Sequence, residues 1–126
     1  MQIVKLDHVN LRTSRLDTMI DWYTKVLGLR RGKRPGFSFD GAWMYADDAA
    51  VVHLVSVDGE PGAGSEGELK LEHFALAASG RAEFEARLEA MGERYRRSDI
   101  SDFKLVQINI WDPDGNHIHI DFPADE

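Results

Sequence analysis

The stretch Leu6-Asp7-His8-Val9-Asn10-Leu11 returns as Leu71-Glu72-His73-Phe74-Ala75-Leu76, with His8 and His73 65 positions apart. Both hexapeptides carry the alternation of a half-buried strand. Working outward from the first, Ser14 is expected to open a helix with Asp17 as its capping-box partner. Leu16, Met19, Ile20, Tyr23, Val26 and Leu27 follow at helical spacing, and Gly28 is a natural residue to end it. From the second, Gly80–Met91 reads as a helix with Phe84, Leu88 and Met91 inward and Gly92 closing it. The strands expected are Val4–Leu11, then Phe37–Phe39, Ala42–Tyr45 and Ala50–Val57. In the other half they are Lys70–Ala77, Tyr95–Arg97, Phe103–Trp111 and Asn116–Phe122, the last two joined by the turn Asp112-Pro113-Asp114-Gly115.

The order strand, helix, strands therefore occurs twice. Val51-Val52-His53-Leu54-Val55 aligns with His117-Ile118-His119-Ile120-Asp121, so each half offers one histidine on its first strand and one on its last. Side chains at i and i+2 share a strand face. If Val9, Leu11, Val52, Leu54, Phe74, Leu76, Ile118, Ile120 and Phe122 pack under the helices, then His8, His53, His73 and His119 all face the other way. His117 lies outside the duplication and next to the turn, where it either supports the others or is exposed.

Composition narrows the chemistry. The chain has 126 residues, 22 acidic and 15 basic side chains, a formal charge of −7, five histidines and no cysteine. Disulfides, thiolate nucleophiles, cysteine zinc sites and iron–sulfur clusters are thereby excluded, and any metal must be held by His, Asp or Glu. Imidazole is the commonest nitrogen ligand for zinc, nickel, iron and copper, whereas a lone strand histidine is usually exposed or a hydrogen-bonded part of the core. Four at matching positions favour neither reading by themselves.

The acidic balance speaks against nucleic acid as main partner, since phosphates demand a basic surface. No secretory signal or membrane-length apolar run occurs in the sequence, so a cytoplasmic location is expected. The clusters Arg30-Arg31-Gly32-Lys33-Arg34 and Arg94, Arg96, Arg97 read as solvated cations after helix ends, with anion binding as the lesser reading. Gly62-Ala63-Gly64-Ser65-Glu66-Gly67 spells a dinucleotide fingerprint but is flanked by Glu60 and Glu68 and leads into a strand, so it reads as linker. Gly28-Leu29-Arg30-Arg31-Gly32-Lys33 is one residue short of a phosphate loop and lacks its Ser or Thr.

Together with Trp22-Tyr23-Thr24-Lys25-Val26-Leu27-Gly28-Leu29 and Asp112-Pro113-Asp114-Gly115-Asn116-His117-Ile118, the repeated hexapeptides resemble the vicinal oxygen chelate superfamily. That group includes glyoxalase I, extradiol dioxygenases, methylmalonyl-CoA epimerase, and fosfomycin and bleomycin resistance proteins. The resemblance implies a single α+β domain of two tandem βαβββ modules, 1–57 and 69–126 joined by a linker at 58–68. Their sheets are expected to form an open, curved mixed-sheet barrel around a cavity. It implies a divalent metal (Fe, Zn, Ni, Mn or Co) at His8, His53, His73 and His119, a small-molecule substrate with vicinal oxygens, and a homodimer. In metal-dependent members the position of His119 is generally glutamate, and in glyoxalase I that of His53 is commonly acidic. The carboxylate that moves a proton from carbon is thus replaced by imidazole. Dioxygenase-like oxidation is accordingly placed slightly ahead of lyase or isomerase chemistry, with a non-catalytic, ligand-sequestering protein as the alternative. Strand alternation adds Asn10, Arg12, Trp43, Tyr45, Gln107 and Asn109 as substrate-binding candidates, and Arg12, Tyr45 and Asp121 as catalytic ones.

Overall fold

A computed structural model describes residues 1–59 and 70–126; most of the expected linker, with its glycine-rich look-alike, lies outside them. The chain divides into two compact units, Met1–Ala63 and Gly64–Glu126. Each is a βαβββ module. The first runs β1 (Val9–Thr13), α1 (Leu16–Lys25), β2 (Arg30–Gly32), β3 (Gly41–Ala46) and β4 (Ala49–Ser56). The second runs β5 (His73–Ala77), α2 (Arg81–Met91), β6 (Tyr95–Ile100), β7 (Leu105–Trp111) and β8 (His117–Pro123), with a 3-10 turn at Ser101–Phe103. The two sheets have the same order, β1-β4-β3-β2 and β5-β8-β7-β6. In both, the first strand runs parallel to the last and every other pairing is antiparallel. The architecture is α+β with two four-stranded mixed sheets, as the resemblance implies.

Burial follows the alternation. Val52, Leu54, Met44 and Ala42 are sealed on one face of the first sheet, as are Met19, Trp22 and Tyr23 of α1 and Val26 at its C-cap. In the second module Val106, Ile108, Ile110, Ile118, Ile120 and Phe122 are buried, with Phe84 of α2 packed on Phe122 at 5.8 Å. Gly28 and Gly92 stand just past their helices at φ 69° and 68°, a left-handed conformation that glycine adopts without a Cβ penalty.

Several expectations are corrected. β1 starts at Val9, so His8 precedes the strand, because the parallel ladder with β4 begins at Val9↔Val52 and the residues before it are exposed. β5 likewise begins at His73. Ser14 makes no capping box: Arg15 is the N-cap and its side chain makes no capping bond, and Thr13 Oγ1 instead accepts the Arg15 amide at 3.0 Å. Phe37–Phe39 forms no strand; the partner of β3 is Arg30–Gly32, inside the first basic cluster. Arg96 and Arg97 similarly belong to β6. Both clusters thus include edge strands, where charge blocks further strand pairing. Met91 is 42% exposed rather than inward, since the helix turns out to solvent at its last residue.

Candidate metal centre

The histidines of each module come together on the sheet face away from the apolar core. In the first module β4 lies between β1 and β3, and Asn10, His53 and Trp43 share one row across them. His53 stacks on Trp43 with centroids 3.9 Å apart and planes 10° off parallel, and His8 stacks on His53 at 3.9 Å and 12°. Asp7 Oδ2 accepts a hydrogen bond from His8 Nδ1 at 2.7 Å. A cavity of about 420 Å³ opens here, lined by His8, His53, Trp43, Lys5, Asp7 and Asp48 among others.

The second module repeats the arrangement with one histidine more. His73 stacks on His119 at 3.9 Å and 10°. His117 lies 4.7 Å from His119 and 5.6 Å from His73 with its ring tilted, and its other neighbour is Trp111, stacked at 5.0 Å. One ring nitrogen from each of His73, His117 and His119 falls within 4.8 Å of the others. His117 is not exposed: 5% of its surface reaches solvent. Its Nδ1 donates to Glu72 Oε1 at 2.9 Å and its Nε2 donates to Asn109 Oδ1 at 3.0 Å. Ligation by His117 would have to break one of these bonds, so His73 and His119 are the freer donors.

Electrostatics favours neutral imidazole. Burial lowers the pKa of His53, helped by the neighbouring His8. Burial likewise lowers that of His119, with His73 and His117 adding to it. Desolvation and like neighbours both disfavour the cation, which leaves the lone pair that a metal needs. The Asp7 carboxyl is lowered by its bond to His8.

The donor set fits a divalent cation of intermediate softness. His119 Nδ1 and Asp121 Oδ1 are buried and have no hydrogen-bond partner among the described residues. Buried polar atoms of this kind are costly until a hydrogen-bonding group or a cation satisfies them. Clustered imidazoles with a carboxylate nearby suit zinc, nickel, iron or copper better than the all-oxygen shells of calcium or magnesium.

The other candidates are placed as follows. Arg12 and Asn10 are exposed on β1. Tyr45 donates its hydroxyl to Lys33 O at 2.5 Å and lies under the Arg30 guanidinium. Gln107 pairs with Asp121 across β7 and β8. Asn109 is buried, its Oδ1 accepting from Arg96 Nη2 at 3.3 Å and its Nδ2 donating to Arg96 O at 3.1 Å. Sequence reasoning passed over Glu72, Lys5 and Asp48. Glu72 had a signal, since it stands opposite Asp7 in the repeat; Lys5 and Asp48 had none.

Duplicated βαβββ modules, each presenting stacked histidines on a strand face, define the class of fold. A family model described as Glyoxalase/Bleomycin resistance protein/Dioxygenase superfamily matches residues 5–120, and the chain belongs to that superfamily. A protein of Arabidopsis thaliana named Glyoxylase I 4 is 27% identical over 124 residues, covering 95% of this chain and 71% of its own length. Among solved structures, a glyoxylase/bleomycin resistance protein/dioxygenase domain from Frankia sp. EAN1pec matches with a TM-score of 0.80 and 18% identity, covering 97% of this chain and 99% of its own. A lactoylglutathione lyase from Agrobacterium tumefaciens matches at 0.65 and 19%, covering 93% and 92%. At such identities the structures speak for the fold alone.

Proposed function

We propose that the chain is a divalent-metal-dependent enzyme acting on a small molecule with two adjacent oxygens. The observation that carries this reading is the repeated stacked histidine pair, His8–His53 and His73–His119, at 3.9 Å in both modules. Each pair offers imidazole nitrogens as donors, and burial favours the uncharged form of His53 and His119. When bound, the metal supplies Lewis acidity to the paired oxygens, and iron(II) also supplies redox chemistry with dioxygen. Uncharged donors leave the cation's full charge to the substrate, which favours an anionic chelator. Arg12, exposed on β1, meets such an anion, Asn10 and Trp43 flank His53, and Asp121, two residues beyond His119 on β8, is the carboxylate that takes up a proton.

Oxidation by dioxygen stands ahead of lyase or isomerase chemistry, because both positions at which a carboxylate serves that chemistry are histidine. The second reading, a glyoxalase-type isomerase or lyase, is favoured by the Arabidopsis relative. Protein purified without a tag or added metal and analysed for elements tests the reading. A bound divalent metal is expected, as is oxygen uptake by the iron(II) protein with a catechol. Metal content near zero after soaking with iron, zinc, nickel and manganese refutes metal dependence. A metal-loaded protein that consumes no oxygen hands preference to the second reading.

A further inference from the structure

The acidic residue before each first-strand histidine is bonded to that histidine. Asp7 Oδ2 meets His8 Nδ1, and Glu72 Oε2 meets His73 Nδ1. A carboxylate only accepts at neutral pH, so each contact places a proton on Nδ1, and in the uncharged ring the lone pair then lies on Nε2. The contacts repeat at the same offset as the histidines, although the residue types differ. Beyond this point the modules diverge. Glu72 Oε1 also accepts from His117 Nδ1 at 2.9 Å and Asn109 Oδ1 accepts from His117 Nε2 at 3.0 Å, so this ring donates from both nitrogens, and Asn109 Oδ1 accepts from Arg96 as well at 3.3 Å. The chain Arg96–Asn109–His117–Glu72–His73 runs from β6 across β7 and β8 to β5, spanning the sheet in its strand order. Its central members, Asn109 and His117, are 1% and 5% exposed. The matching positions in the first module, Trp43 and Val51, cannot carry such a relay.

We propose that Glu72, held by the relay through His117, is a positioning residue that sets the tautomer and ring orientation of His73, so that Nε2 is its metal-facing nitrogen. Asp7 does the same for His8 with one bond and no buried support. This rests on the reading of the histidines as metal ligands, and it makes His117 a brace rather than a ligand. Glu72 acts through the imidazoles of His73 and His117. Outer carboxylates of this kind commonly change metal affinity 10–100-fold, about 1.4–2.7 kcal/mol.

The test uses Glu72→Ala and Asp7→Ala, both at partly or largely exposed side chains where truncation spares the core. Long-range ¹H–¹⁵N spectra of the metal-free proteins read each histidine's tautomer, and titration with cobalt(II) reads affinity. Glu72→Ala is expected to move His73 away from the Nδ1–H form and to weaken cobalt binding about 10–100-fold. Asp7→Ala should shift His8 alone, with a smaller loss. Glu72→Asp, which keeps the carboxylate, should restore part of the affinity. Unchanged tautomers in variants of a cobalt-binding wild type overturn this inference and leave the metal reading standing. A wild type that binds no cobalt, with the tautomers still responding to Glu72→Ala, overturns the metal reading instead. Loss of the cobalt signal on Glu72→Ala with unchanged tautomers refutes the positioning role and makes Glu72 a ligand.

Discussion

Gly41 opens β3 opposite Val55 of β4, and its backbone conformation is ordinary, so its value lies in what it lacks. A Cβ built there would sit 2.3 Å from Leu54 O and 3.0 Å from Arg34 Nη2. The arginine tip can swing aside; the carbonyl belongs to a paired strand. Ordinary contact begins near 3.4 Å, so Gly41→Ala must separate the strand ends by about 3.4 − 2.3 = 1.1 Å. The bond from Ser56 N to Asp40 O, 3.0 Å long at this end, would stretch past hydrogen-bond range. One lost bond at about 1 kcal/mol and one poorly satisfied backbone group at about 1–3 kcal/mol give a destabilisation of about 2–4 kcal/mol. At this chain length that lowers the melting temperature by about 4 °C per kcal/mol, hence roughly 8–16 °C. Gly36→Ala, where nothing lies within 4 Å, is the matched control and should stay within about 0.5 kcal/mol of wild type. Urea denaturation followed by circular dichroism measures both. If Gly41→Ala matches Gly36→Ala in midpoint and slope, the close approach does not constrain the sheet and the reasoning fails.

Three further outcomes follow from the same description. Asp112 Oδ1 accepts from the amides of Asp114 and Asn116 at 3.0 and 2.9 Å, so Asp112→Ala should cost about 2 kcal/mol and Asp112→Asn less, as read by denaturation midpoints. His53 and His119 titrate below the ordinary imidazole value of about 6.5, so on acidification the unfolded chain binds more protons than the folded one. Stability of the metal-free protein should therefore fall as pH drops through that value and return above it; a flat midpoint between about pH 7.5 and 5.5 contradicts this. His119→Ala should lose at least about tenfold in cobalt affinity while the fold survives, since the ring is half-buried; unchanged titration isotherms remove His119 from the ligand set.

How much of this could be read beforehand depends on whether a feature is periodic. The duplication, the alternation that buries Val52, Leu54, Ile118 and Ile120, and the opposite placement of His53 and His119 all follow from period-two patterning, which burial enforces. The start of β1 was not legible, because Val4 and Leu6 extend the apolar pattern toward the N-terminus, although among the described residues the ladder begins only at Val9 and Leu6 is 71% exposed. β2 hid behind three residues, Arg30-Arg31-Gly32, whose charge suits an edge strand as well as a loop. Ser14 had the right chemistry for a cap one residue too early, where Thr13 took the bond. The candidate centre was half legible. Its stacked pairs are local consequences of register, but the partners of His117 come from residues 45 and 8 positions away, and only folding brings those together.

The placement of the tryptophans gives the chain an optical readout of its own. Trp22 is sealed in the core against Tyr23, while Trp43 rests on His53 and Trp111 on His117, each with its ring nearly parallel to the imidazole. An indole in face contact with an imidazole senses whether that ring gains positive charge. Emission from Trp43 would then report on the first module and emission from Trp111 on the second. With one of the two replaced by phenylalanine, each half of the duplication could be watched separately in the same unlabelled protein.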